Sequence, residues 1–133
     1  MKSDDIFCKI IAEEIPSYKV YEDDDFFAFL EINPIKPGHT LLVTKEHYAT
    51  IYDIPKKLFS SFMEKSREIA PAIKAATNCR RVGLAVVGLD IEHAHLHILP
   101  INAPGDTNFA NQKPAEPDDL AKLAEKIKAE ILK

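Results

Sequence analysis

His93, His95 and His97 alternate with Ala94, Leu96 and Ile98. A β-strand repeats every two residues, so this segment places three imidazoles on one face and three apolar side chains on the other. The apolar set is expected to face the core. The imidazoles are expected to stand about 6.5–7 Å apart per step, on a rigid and partly exposed surface. Packing alone does not ask for this arrangement, because buried imidazoles need hydrogen-bond partners and three together compete to be charged.

The rest of the chain supplies partners for such a strand. Arg80–Val87 and Glu92–Ile101 read as a strand pair, with Val82, Leu84 and Val86 sharing one face. Lys19–Glu22 and Phe26–Ile32 flank Asp23-Asp24-Asp25 as a hairpin, although the turn lacks an Asn-Gly or Asp-Gly pair. Asn33–Gly38 is a loop by its prolines and glycine, and His39–Thr44 a further strand. Ile6, Phe7, Ile10 and Ile11 recur at helical spacing before Pro16, as a short helix or turn. A long helix is predicted over about Ile54–Ala76, with a kink or restart at Pro71. Residues 102–133 read as a polar loop and a C-terminal helix, about Asp118–Leu132. The fold class is α+β: about five antiparallel strands and two main helices in a single domain over residues 1–133.

Composition narrows the function classes. The chain has 133 residues, 46% hydrophobic and 29% charged, which is ordinary for a globular domain. Seventeen Lys plus Arg against 21 Asp plus Glu give a formal charge of −4, which argues against a nucleic-acid-binding surface. Only Cys8 and Cys79 carry thiols, so a disulfide framework is not expected. No stretch resembles a signal peptide or a membrane span, and a cytoplasmic location is the expectation.

All five histidines fall in two segments, His39 and His47 in one and the alternating three in the other. Imidazole titrates near neutrality and offers a nucleophilic nitrogen and a proton donor. Several together can attack phosphorus, neutralise a phosphate and protonate a departing group. Metal binding is the competing use, since imidazoles are good zinc ligands.

The run His93-Ala94-His95-Leu96-His97-Ile98-Leu99 resembles the signature of the histidine triad (HIT) family of nucleotide hydrolases and transferases. Ile6-Phe7-Cys8-Lys9-Ile10-Ile11 with Glu14-Ile15-Pro16 resembles the family's opening segment. Pro37-Gly38-His39 followed by Leu41-Leu42-Val43 is similar to a third family motif. The resemblance spans about residues 5–101 of the chain. It implies a HIT-like α+β fold, antiparallel sheets joined across a homodimer, and a nucleotidyl-histidine intermediate that water resolves. It assigns the nucleophile to His95, support of the array to His93, phosphate contact to His97 and extension of the network to His39. Glu31 falls at the ribose-contacting position, and Ile6, Phe7, Ile10 and Phe29 where the family builds its base pocket; all four apolar residues read equally well as core.

Two departures follow from the same resemblance. Gly88-Leu89-Asp90 stands where Gly-Gln-Ser is usual, so Leu89 and Asp90 occupy phosphate-contacting positions. Leucine has no donor, and an ionised aspartate repels a phosphate. The family's upstream asparagine has no match among Val82-Gly83-Leu84. Some bacterial members hold structural zinc through two cysteines and two histidines. Cys8, His47 and His93 match three of these positions and Asp5 stands at the fourth. The expectation is that no cofactor is required, Cys8 being a small buried hydrophobe and His47 a surface residue, with structural zinc on Asp5, Cys8, His47 and His93 as the alternative. The function implied is hydrolysis of purine nucleoside phosphoramidates or related nucleotide conjugates. A nucleotide-binding regulatory protein with little turnover, or a zinc-binding protein, are the alternatives.

Overall fold

A computed structural model of the chain describes residues 5–133. Helix α1 (Ile6–Ile11) leads into β1 (Lys19–Glu22), β2 (Phe26–Leu30) and β3 (Thr40–Thr44). Helix α2 (Lys56–Thr77) follows, then β4 (Arg81–Ala85), β5 (His95–Ile101) and α3 (Pro117–Ile131). The strands form one antiparallel sheet in the order β1-β2-β3-β5-β4. This is the expected α+β architecture. The β1–β2 turn closes without glycine because the Asp23 carboxylate accepts from the amides of Asp25 and Phe26, both at 2.8 Å.

The sheet is buried on both faces. On one, α2 and α3 cover Phe26, Ala28, Leu30, Leu42, Leu96 and Ile98, with Phe62, Ile69, Ile73 and Ile127 of the helices. On the other, Phe7 and Ile10 of α1 lie over Phe27, Phe29, Leu41 and Val43. Each fully buried phenylalanine contributes about 1.5–3 kcal/mol relative to exposure, so six residues of helix suffice to close this second face.

Several expectations are corrected. The imidazole face is not partly exposed: His93 is 0%, His95 7% and His97 8% exposed, because α1 and the loop after β5 cover it. The last strand begins at His95 rather than Glu92; ahead of it the Ala94 amide donates to the Tyr48 carbonyl at 2.7 Å. Ala94, Leu96 and Ile98 still share the helix-covered core, so the alternation survives the shorter strand. Helix α2 runs through Pro71 without restarting. Pro71 is exposed, as is Arg67 one turn earlier, so the carbonyl it leaves unpaired faces solvent. Finally, the strand read over Arg80–Val87 is shorter, Arg81–Ala85, so Val86 does not continue the face of Val82 and Leu84. Val82 packs against the core, whereas Leu84 and Val86 are 47% and 43% exposed, because β4 lies at the sheet edge and Val86 beyond the strand.

Candidate active site

Three main-chain groups decide where the ring protons sit. The Ile35 amide donates to His39 Nδ1 at 3.1 Å, so that nitrogen carries a lone pair. Burial, then the neighbouring His97, pushes His39 from 6.5 down to about 3, so the ring is neutral and its proton is on Nε2. That Nε2–H donates to His97 Nδ1 at 3.0 Å. Burial, then His95, lowers His97 to about 4; this neutral ring therefore carries its proton on Nε2.

His95 has the opposite arrangement. Its Nδ1–H donates to the His93 carbonyl at 2.6 Å. Its pKa is lowered chiefly by burial, so the neutral ring keeps a lone pair on Nε2. Adjacent rings, with centroids 5.2 Å apart, thus offer a nucleophilic nitrogen at His95 and a donor at His97. His93 donates from Nε2 to the Thr44 carbonyl at 2.7 Å, which turns its Nδ1 toward Asp5 and Cys8.

His95 and His97 line a cavity of about 790 Å³. Ile6, Phe7, Ile10, Phe29, Glu31, Leu89 and Asp90 line it too, whereas His39 and His93 stand behind it. The core and pocket readings of the apolar residues are both true for Phe7, Ile10 and Phe29, which are buried in the second apolar cluster and also border the cavity. Ile6 is 46% exposed and belongs to the pocket wall alone. The Glu31 carboxylate accepts from the Asn33 amide at 3.1 Å, and burial raises its pKa. Asp90 favours the protonated form of His95, while Leu89 is 86% exposed at the rim.

Sequence reasoning missed the wall supplied by the loop 102–116. Phe109 of that loop packs edge-on against His97 at 4.8 Å, and Gln112 and Lys113 line the same cavity. The available signal was Phe109 itself, the one large apolar residue in an otherwise polar or small-residue segment.

Behind the histidine row lies a second cluster. One ligand atom each from Asp5, Cys8, His47 and His93 falls within 4.8 Å of all the others. Asp5 caps α1 by accepting from the Cys8 amide at 2.8 Å, which puts Asp5 and the Cys8 thiol on one turn. His47 Nδ1 lies 3.0 Å from Asp5 Oδ2 but at an angle that makes no hydrogen bond, leaving a buried ring nitrogen unsatisfied among the described residues. Cys8 is therefore no plain buried hydrophobe, nor His47 a plain surface residue: both face His93.

A neutral nucleophilic imidazole beside a neutral donor imidazole, both on the wall of a nucleotide-sized cavity, defines a histidine-array protein of the α+β class. The chain belongs to the HIT domain family, whose match covers residues 12–103. It is 34% identical over 128 residues to adenosine 5′-monophosphoramidase HNT1 of Saccharomyces cerevisiae, covering 96% of this chain and 80% of the yeast protein. Its fold is similar to a HIT-like protein involved in cell-cycle regulation from Bartonella henselae, with TM-score 0.84, 30% identity and 98% of each chain covered. A zinc-bound histidine triad family protein from Mycobacterium smegmatis is similar at TM-score 0.81 and 25% identity, over 97% of this chain and 94% of that one.

Proposed function

We propose that this protein is a homodimeric, cytoplasmic hydrolase of purine nucleoside phosphoramidates or related nucleotide conjugates. The observation that carries this reading is the His95 ring, whose Nδ1–H is committed to the His93 carbonyl. Its Nε2 lone pair is thereby available on the cavity wall. In the first step Nε2 attacks the α-phosphorus, the bond from phosphorus to the leaving amine breaks, and the amine departs with a proton taken from solvent, which the water of the second step returns. His97 Nε2–H donates to the phosphate, whose charge grows in the transition state. Water then cleaves the phosphorus–nitrogen bond to His95 and releases the nucleoside monophosphate. Glu31 accepts from ribose hydroxyls, and Ile6, Phe7, Ile10 and Phe29 hold the base. The yeast monophosphoramidase is a relative that supports the substrate class. No helix among the described residues is long and apolar enough to cross a membrane.

The test is adenosine 5′-phosphoramidate mixed rapidly with the protein, followed by intact-mass measurement and assay of released AMP. A nucleotidyl adduct and AMP release, both absent in His95→Ala, are expected. Release that persists in His95→Ala removes the covalent route. Tight AMP binding without turnover instead identifies a nucleotide-binding regulatory protein, a reading motivated by Leu89 and Asp90 on the cavity wall, neither of which donates to charge developing on a phosphate.

The cluster Asp5, Cys8, His47 and His93 supports structural zinc as an addition to this reading. The unsatisfied His47 nitrogen, a thiol, a carboxylate and the Nδ1 of His93 form a donor set suited to a tetrahedral ion. Zinc held by these four residues would tie α1 to the segment ahead of β5. About one zinc per chain by elemental analysis after growth with zinc, reduced in His47→Ala, is the expected result.

A further inference from the structure

The loop 102–116 is built to deliver one side chain. Asp106 folds its start by accepting from the amides of Asn102 and Ala103 at 2.8 and 3.0 Å. Its far end is tied to the loop after β2: Gln112 Nε2 donates to the Asn33 carbonyl at 2.8 Å and the Ala115 amide to Ile32 at 3.1 Å. Between these anchors Phe109 is half-buried while its neighbours Asn108 and Ala110 are exposed. Its ring meets His97 at 4.8 Å and His39 at 5.9 Å, edge-on to both. It therefore covers the solvent side of the one hydrogen bond that sets the His97 tautomer.

We propose that Phe109 is a positioning residue for His97, closing the His39–His97 hydrogen bond against water and holding His97 with Nε2–H toward the cavity. A water molecule admitted at this point, unlike His39 Nε2–H, could either donate to His97 Nδ1 or accept from it, which would unfix the tautomer and free the ring to turn. It would also solvate the charged imidazole and make it easier to form. The other titratable or charged groups around the cavity are His95 on the same strand, Glu31 after β2, Asp90 ahead of β5 and Lys113 on the loop itself. Those groups are unchanged by substitution at Phe109, so a shift at His97 reports its cover. The kinetic arm rests on the hydrolase reading above; the spectroscopic arm does not.

The experiment is nitrogen-15 NMR of the histidine rings in the substrate-free protein, on Phe109→Ala and Phe109→Leu. In Phe109→Ala the His97 titration midpoint rises from about 4 toward 6.5 and its ring nitrogens show mixed tautomers. In Phe109→Leu, which stays apolar, midpoint and tautomer stay close to those of the parent. Unchanged His97 signals in Phe109→Ala overturn the proposal. With adenosine 5′-phosphoramidate, kcat of Phe109→Ala falls about tenfold while KM changes less, since a donor to developing charge is loosened. A change in KM alone makes Phe109 a plain wall of the pocket and also overturns it. If the parent does not turn this substrate over, the ring signals still decide. Should Phe109→Ala lose its circular-dichroism signature of folding, Phe109→Gln is judged by the same criteria.

Discussion

His95 donates its Nδ1 proton to the carbonyl of His93, two residues earlier in the same chain, across 2.6 Å. No side-chain partner is used. The ring is oriented by its own backbone, and in the proposed reaction this leaves the surrounding side chains free to set which phosphate it meets.

Asp90 is the first of these to test. Its carboxylate lies on the cavity wall and favours the charged form of His95; in the proposed reaction it would oppose an incoming phosphate. Asp90→Ser is expected to raise kcat/KM for adenosine 5′-phosphoramidate about tenfold, equivalent to about 1.4 kcal/mol. The gain shrinks as salt is added, because exposed charges are screened. A rate that is unaltered at low salt shows that Asp90 does not face the phosphate.

Acid should destabilise the fold well before the carboxylates titrate. His39 and His97 are neutral in the folded chain down to about 3 and about 4, whereas unfolded imidazoles take up a proton near 6.5. Between those limits the unfolded state binds more protons, so stability is full above pH 6.5 and falls as pH drops through the window. Each ring contributes a slope approaching 1.4 kcal/mol per pH unit, and the loss from pH 7 to pH 5 is on the order of 3 kcal/mol. Urea midpoints at the two pH values measure it; equal midpoints mean that the two rings are not held neutral.

Gly38 holds the backbone beside His39 at φ +103, where side chains are strained. A Cβ there meets Thr77 Cγ2 at 2.6 Å and Pro100 Cγ at 3.0 Å. Thr77 has little freedom to yield, since its hydroxyl donates to the Ile73 carbonyl at 2.7 Å. Gly38→Ala is expected to cost about 1–3 kcal/mol and lower Tm by about 5–10 °C. A calorimetric Tm equal to that of the parent refutes the close approach.

The edge strand β4 bears on assembly. Leu84 on β4 and Val86 and Val87 just past its end are all more than 40% exposed beside the free sheet edge, a surface which a second copy of the chain can cover. Light scattering is expected to give a dimer for the parent and a monomer for Leu84→Glu. A dimer that survives Leu84→Glu and Val86→Glu places the contact elsewhere.

The sequence carried whatever depends on periodicity. The alternation through His95 and His97, the hairpin of β1 and β2 and the C-terminal helix are local patterns, and they appear close to where the sequence places them. Burial of the imidazoles is not local: it is produced by Phe7, 86 residues before His93, and by Phe109 in a segment without any period. Residues of β2 show no alternation because α1 covers the face that a two-layer reading leaves open. The ring protons were equally hidden, since each depends on a main-chain atom whose position only the fold supplies.

That last dependence has a consequence for how such a site can change over time. The Ile35 amide and the carbonyls of Thr44 and His93 exist whatever side chains those positions bear. Substitution along the cavity wall, as at Leu89 and Asp90, can therefore retune what is bound without disturbing which nitrogens are bare. The acid–base pattern is inherited with the path of the chain, and the choice of substrate is free to wander over it.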